Sequence, residues 1–256
     1  MLMPRVMPCL LLKNGSLVKT VKFKNPEYIG DPINAVRIYN EKEVDELIFL
    51  DITATIDKRE PPYKVLSEIA SECFMPVTYG GGVRDLETIR RVLSLGVEKV
   101  SINSHAAENP EFVKAAAERF GSSTIVVSMD IRKKMFGRYE VVIYGGRKGM
   151  GLDPVEFASV MEKMGAGEIL LTAIDRDGTQ EGYDIDLIKS VTSSVSIPVI
   201  ACGGAGRIDD FGLAVKDGGA SACAAGSMVV YFGRNRAVLI NYPDRDKLEA
   251  ILCQEK

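Results

Sequence analysis

Histidine occurs once in this 256-residue chain and tryptophan not at all. With a single imidazole and no clustered ligand set, no metal site is expected. Cysteine is scarce as well. Cys9, Cys73, Cys202, Cys223 and Cys253 are odd in number and contain no CxxC pair, so no disulfide framework is expected, and buried, reduced thiols in a cytoplasmic protein fit best. No stretch reaches the roughly 18 consecutive apolar residues of a spanning helix. The apolar start, Met1 to Leu12 with a lone Arg5, lacks a cleavage-like site and runs into the turn signal Lys13-Asn14-Gly15, so it reads as a strand, not a signal peptide. Basic excess is missing too: a formal net charge of -3 provides no field for nucleic acid, and no cationic amphipathic helix offers itself to a membrane. Neither GxxxxGK[ST] nor a GxGxxG after the first strand occurs, which argues against nucleotide-binding folds.

What is present is a core-forming composition, 46% hydrophobic and 26% charged. The length is typical of one α/β barrel, expected here as a single domain over 1–256. Short apolar runs alternate with amphipathic stretches, the pattern of βαβ units around a buried parallel sheet. Strands are expected near Arg5–Leu11, Glu46–Asp51, Pro76–Gly80, Lys99–Ile102, Thr124–Asp130, Glu168–Ala173, Pro198–Ala201 and Ala222–Ala225. Eight such strands close naturally into a (β/α)8 barrel. Helices are expected at Asp31–Tyr39, where an Asp cap precedes Pro at the first helical position, and at Asp85–Leu95 and Pro110–Phe120. The long segment from Ile131 to Leu152 alternates over Tyr139–Tyr144 and reads as a small hairpin carried on a loop.

The halves repeat. Met75–Val83 matches Ile197–Ala205, and Glu46 matches Glu168, each at an offset of 122 residues (Pro76 to Pro198, Glu46 to Glu168); Gly96 and Ser104 match Gly219 and Ser227 at 123. Each half carries a glycine turn straight after a strand, Gly80-Gly81-Gly82 and Gly203-Gly204-Ala205-Gly206. Glycine there lets backbone N–H groups approach an anion. One such turn alone would be only a tight βα connection. Pairing with Asn103-Ser104 in one half and Gly226-Ser227 in the other favours two phosphate cradles at one mouth, and hence a substrate with a phosphate at each end. The C-terminal face is where barrel active sites lie.

Polar residues at strand ends are the candidates for chemistry. Asp51 ends the second strand and Asp130 the fifth, while Asp175 and Asp177 follow the sixth. Asp175-Arg176-Asp177-Gly178 is equally readable as a turn or cap. Asp130 closes the apolar run Ile125–Met129, where partial desolvation would raise its pKa and suit it to acid/base duty. The symmetric position on the first strand, in Pro8-Cys9-Leu10-Leu11-Leu12, has no ionisable side chain. His105 is placed to donate to the first phosphate or to be a plain surface residue.

Together, Arg5, Lys13-x-Gly15 with Val18-Lys19, Gly30-Asp31-Pro32, the run Asp45–Ala54, Gly80–Gly82, Lys99–Asn103, Gly165–Glu168, Asp175–Thr179 and Gly203–Gly206 resemble the cyclase subunit of imidazole glycerol phosphate synthase, in order over about nine-tenths of the chain. The resemblance implies a barrel that takes ammonia from a class I glutaminase docked as a heterodimer partner on its N-terminal face. It implies a phosphorylated small molecule as ligand and no cofactor. It also implies that Arg5, Glu46, Lys99 and Glu168 form an ammonia gate, or a salt-bridge ring, at the barrel floor. Gly81, Gly82, Asn103, Ser104, Asp177, Gly178, Gly203, Gly204, Gly226 and Ser227 match the phosphate sites. Asp51 and Lys19 match the substrate-contacting segments, with Lys19 on a flexible first loop or simply exposed.

The family's acid/base pair is an aspartate on strand one and another on strand five; Asp130 matches the second, while Leu11 occupies the first. Asn14 replaces the loop aspartate, and Phe232–Lys256 departs from the usual ending. These departures resemble a branch of paralogues that serves sugar amidation in surface polysaccharide biosynthesis, with a glutaminase and a separate sugar amidotransferase. A working histidine-pathway cyclase and a non-catalytic scaffold binding a phosphate ligand and a partner are the alternatives.

Overall fold

The computed structural model describes residues 3–233 and 235–253; residues 1–2 and 254–256, at the far ends of the segments read above as a first strand and a divergent ending, lie outside the described residues. Eight parallel strands form the barrel: β1 (Arg5–Lys13), β2 (Leu47–Asp51), β3 (Val77–Gly80), β4 (Lys99–Ile102), β5 (Ile125–Lys133), β6 (Glu168–Ala173), β7 (Val199–Cys202) and β8 (Ala222–Ala225). Each pairs with the next, and β8 closes onto β1 with Arg5 opposite Ala222. Strand starts agree with the sequence reading to within one residue.

Both faces of each strand are buried, which is why the strands read as continuous apolar runs. On β1, Val6, Leu10 and Leu12 pack outward beneath the helices, whereas Met7 and Cys9 point into the lumen with Ile48, Val126, Leu170, Ile200, Ala222 and Ala224. The helices begin where caps were expected. Asp31 accepts from the Ile33 and Asn34 amides ahead of Pro32–Glu41, Asp85 accepts from the Thr88 amide ahead of Leu86–Leu93, and Pro110–Phe120 matches the expected range. Among the described residues no helix is long and apolar enough to cross a membrane.

β7 runs one residue past its expected end, and β1 and β5 run further past theirs, both of these longer extensions shaping the mouth. After the turn at Asn14-Gly15, β1 continues into an antiparallel excursion, Ser16–Val21 and Lys24–Gly30. The expected flexible loop is therefore sheet. The outer strand is mostly exposed and polar, so it lacks the apolar alternation by which a strand is recognised. β5 runs on to Lys133 and pairs with Tyr139–Ile143, Asp130 lying opposite Val142. The hairpin is as expected, but Asp130 sits three residues before the strand's end and Leu11 two before that of β1.

Candidate functional site

At the barrel floor four charges, three at the starts of β1, β4 and β6 and Glu46 just ahead of β2, close a ring. Arg5 bridges Glu46 at 2.6 Å and also pairs with Glu168, while Lys99 bridges Glu46 at 3.2 Å and Glu168 at 2.9 Å. Thr78 donates to the second oxygen of Glu46 at 2.7 Å. The four residues expected to form the ring thus meet. Thr78 was missed, although its inward parity on β3 could have pointed to it. Above the ring lies the apolar layer of Met7, Ile48, Val126, Leu170 and Ile200.

The opposite end opens into a cavity of 520 Å³, with Cys9, Leu50, Ser101, Ser128, Thr172, Cys202 and Ala224 deep in its wall. Asp130 and Leu11 both line it. Burial, then the negative charge of Asp177, push the Asp130 carboxyl up to about 7, against a smaller opposing effect from a hydrogen bond with Asn103. Asp130 can therefore hold or release a proton near neutrality. Leu11, 7% exposed, offers no proton acceptor of its own.

Residues expected at the two cradles all line this one cavity: Gly81, Gly82, Asn103 and Ser104 on one side, and Asp177, Gly178, Gly203, Gly204, Gly226 and Ser227 on the other. The sides are not equivalent. In the first, the Gly82 amide donates to Thr55 Oγ1 at 3.0 Å, the Ser104 hydroxyl accepts from the Tyr144 amide at 3.0 Å, and Asn103 donates to the Ser128 carbonyl at 2.9 Å. Gly145 and Arg147 from the hairpin loop stand beside them, a contribution invisible in local sequence because it comes from 40 residues on. In the second, Gly204 has φ +119°, and a Cβ there would collide with the Gly182 carbonyl oxygen, so the close approach requires glycine. A Cβ on Gly226 would fall 2.7 Å from Lys19 Nζ.

Lys19 corrects the expectation of a mobile or exposed side chain. It lies on the Ser16–Val21 strand, only 5% exposed, and its ammonium pairs with Asp177 at 3.1 Å. The turn is fixed from the same strand by Thr20, which donates to the other Asp177 oxygen at 3.0 Å. Asp177 is thus a buried ion-pair partner and not the turn cap left open above, whereas Asp175 accepts from the Lys133 amide at 2.7 Å. Asp51 is saturated: Arg59 contacts both its oxygens at 2.9 Å, and the Thr53 and Ala54 amides donate at 3.0 Å. Arg59 is a further residue that the strand-end reading missed. His105 lines the cavity with its ring packed edge-on to Phe112 at 4.5 Å between centroids. Among the described residues no three His, Cys, Asp or Glu side chains group as metal ligands, and all five cysteines are free; Cys9 and Cys223 are buried as expected, but Cys73 and Cys202 are only half-buried and Cys253, on the C-terminal segment, is exposed.

Residues 5–235 match the family model described as "Histidine biosynthesis protein". The chain is 52% identical to the Pseudomonas aeruginosa protein named "Putative imidazole glycerol phosphate synthase subunit hisF2", with 96% of this chain and 98% of that one covered. It is 46% identical to a Leptospira interrogans protein named as such a subunit HisF, covering 98% and 99%, and 46% identical to a Vibrio vulnificus protein named as subunit hisF3, covering 95% and 94%. Matched over nearly its whole length and folded as an eight-stranded barrel, this chain belongs to the histidine biosynthesis protein family, among the HisF-like cyclase subunits of imidazole glycerol phosphate synthase.

Proposed function

We propose that this chain is the ammonia-receiving barrel of a glutamine amidotransferase in which the cyclase step is slowed or lost, the ammonia serving sugar amidation in surface polysaccharide biosynthesis. The observation that carries the reading is Leu11. The floor keeps its four-charge ring and the mouth keeps Asp130, yet the wall across from Asp130 has an isobutyl group where the cyclase pair needs a second carboxylate. A class I glutaminase docks on the N-terminal face against Arg5, Glu46, Lys99 and Glu168. Neutral ammonia then passes the apolar layer, which admits an uncharged molecule far more readily than ammonium. A two-phosphate ligand spans the mouth, one phosphate in each cradle. A sugar amidotransferase consumes the ammonia.

A second reading, a working cyclase of histidine biosynthesis, draws support from Asp130, whose pKa near 7 suits general acid/base catalysis. Turnover of the two-phosphate ribulosyl aminoimidazole substrate with ammonium salts as nitrogen donor separates the two. The first reading expects a rate about 10²–10⁴-fold below that of a family member with both aspartates. Equal rates would replace it with the second. Stimulation of a glutaminase from the same genome tests the ammonia role, and absence of both stimulation and co-purification would leave only a scaffold.

A further inference from the structure

The segment that departs from the family's usual ending folds back onto the mouth. Tyr231–Phe232 and Ala237–Val238 pair as a small antiparallel hairpin, Tyr231 opposite Val238. Arg236 stands on its turn with φ 49°, a left-handed conformation that an arginine adopts at a cost. Its guanidinium lies over the Tyr231 ring at 4.6 Å from the centroid, which fixes its direction. From there it reaches two members of the second cradle, the Gly178 carbonyl at 3.4 Å and Ser227 Oγ at 3.5 Å. Both contacts are long for hydrogen bonds, so the guanidinium is held beside the cradle without its five donors being consumed. Among the described residues no carboxylate forms an ion pair with it.

Gly226, next to Ser227, has the Lys19 ammonium against its other side. Two cationic heads from distant parts of the chain, one on the first antiparallel excursion and one on the C-terminal hairpin, therefore bracket the Gly226-Ser227 corner. At the first cradle Arg147 of the hairpin loop stands alongside, and the Ser104 hydroxyl and Gly82 amide are engaged within the protein.

We propose that Arg236 is a phosphate ligand of the second cradle, completing that site for a terminal phosphate with a guanidinium. The proposal rests on the phosphate reading of the cradles given above. Arg236 stands just outside the cavity wall, on the Ser227–Gly178 edge, where a phosphate oxygen accepting from the Ser227 hydroxyl comes within reach of the guanidinium fork. A planar fork donating to two oxygens adds charge and direction that backbone amides alone do not supply.

The test is a titration of the full chain with inorganic phosphate, followed by NMR at the amides of Gly204 and Ser227 for the second cradle and of Gly82 and Ser104 for the first. In the wild type the Gly204 and Ser227 amides should shift and saturate with phosphate. Arg236→Ala should weaken the second cradle by about 10-fold or more, the size expected for a charge-assisted hydrogen bond, and leave the first unchanged. Arg236→Lys, which keeps the charge and loses the fork, should fall between and serves as the readout if the alanine variant is poorly folded. An unchanged midpoint at Gly204 and Ser227 in both variants overturns the role of Arg236 while the phosphate reading stands. No response at either cradle in the wild type overturns the phosphate reading, and this inference with it.

Discussion

Replacing Asp130 by asparagine should stabilise the fold at neutral and alkaline pH and do almost nothing in acid. In the folded protein the carboxyl titrates at about 7 instead of 3.8, because it is buried and lies near the negative charge of Asp177. A carboxyl whose pKa is raised by folding gives its full contribution below the unfolded value, about pH 4, and loses it as pH rises through about 7. About three pKa units at about 1.4 kcal/mol each set the full cost at about 4 kcal/mol above pH 7.5, with about 2 kcal/mol already lost at pH 5. Asparagine is nearly isosteric and carries no charge, so Asp130→Asn removes this pH-dependent cost. Urea unfolding of both proteins at intervals from pH 4 to pH 8.5 measures it. The difference in stability should grow in favour of Asp130→Asn across that range, whatever constant offset the amide itself introduces. A difference that stays flat with pH would mean that Asp130 is not held protonated by its surroundings, and would remove the physical basis for its acid/base role. Asp177→Asn gives an internal control, because loss of the like charge should move the Asp130 transition to lower pH.

Lys19→Met should destabilise the protein by about 3–5 kcal/mol, because it leaves the Asp177 carboxylate buried without its ion-pair partner; a Lys19→Met/Asp177→Asn double variant should recover most of that loss in the same denaturation assay. Gly204→Ala should cost at least about 1–3 kcal/mol, since it forces a Cβ onto a φ of +119° and into the Gly182 carbonyl, and a thermal melt no lower than wild type would contradict the geometry. Leu11→Asp should raise ammonium-dependent cyclase turnover by less than the full 10²–10⁴-fold of a positioned acid/base group, because Asn14 and the C-terminal hairpin also differ; no gain at all would show that Leu11 is not what limits the chemistry. Lys99→Met should lower glutamine-dependent nitrogen transfer about 10-fold and spare the ammonium-dependent reaction, and an equal loss in both assays would exclude a gating role for the floor ring.

Much of the architecture was written in local patterns. A strand buried on both faces has to be apolar throughout, so β1 to β8 were readable to within a residue at their starts, and an Asp that precedes Pro, or whose carboxylate can accept from the amide three residues on, marks a helix start wherever it occurs. The half-barrel repeat then linked glycine turns that are weak signals singly. The antiparallel excursion after β1 was not readable, because the Lys24–Gly30 strand is exposed on its outer side and bears polar residues that a loop would also carry.

The sequence by itself determined that this is an eight-stranded barrel with two glycine-lined turns at its mouth and one carboxylate without a partner across it, since each of these is a residue identity at a fixed place along a strand, and its resemblance to a known family added the four charges at the floor. Tertiary structure alone decided what those residues contact. Lys19 and Asp177 are 158 positions apart, and Arg236 and Gly178 are 58 apart, so nothing in their neighbours along the chain could pair them. Barrel closure brings the first excursion, the turn after β6 and the C-terminal hairpin to one corner, and burial there turns an expected surface lysine into an ion pair. The Asp130 proton has the same origin: its pKa depends on desolvation and on a charge carried by another strand's turn, quantities that exist only once the chain is folded.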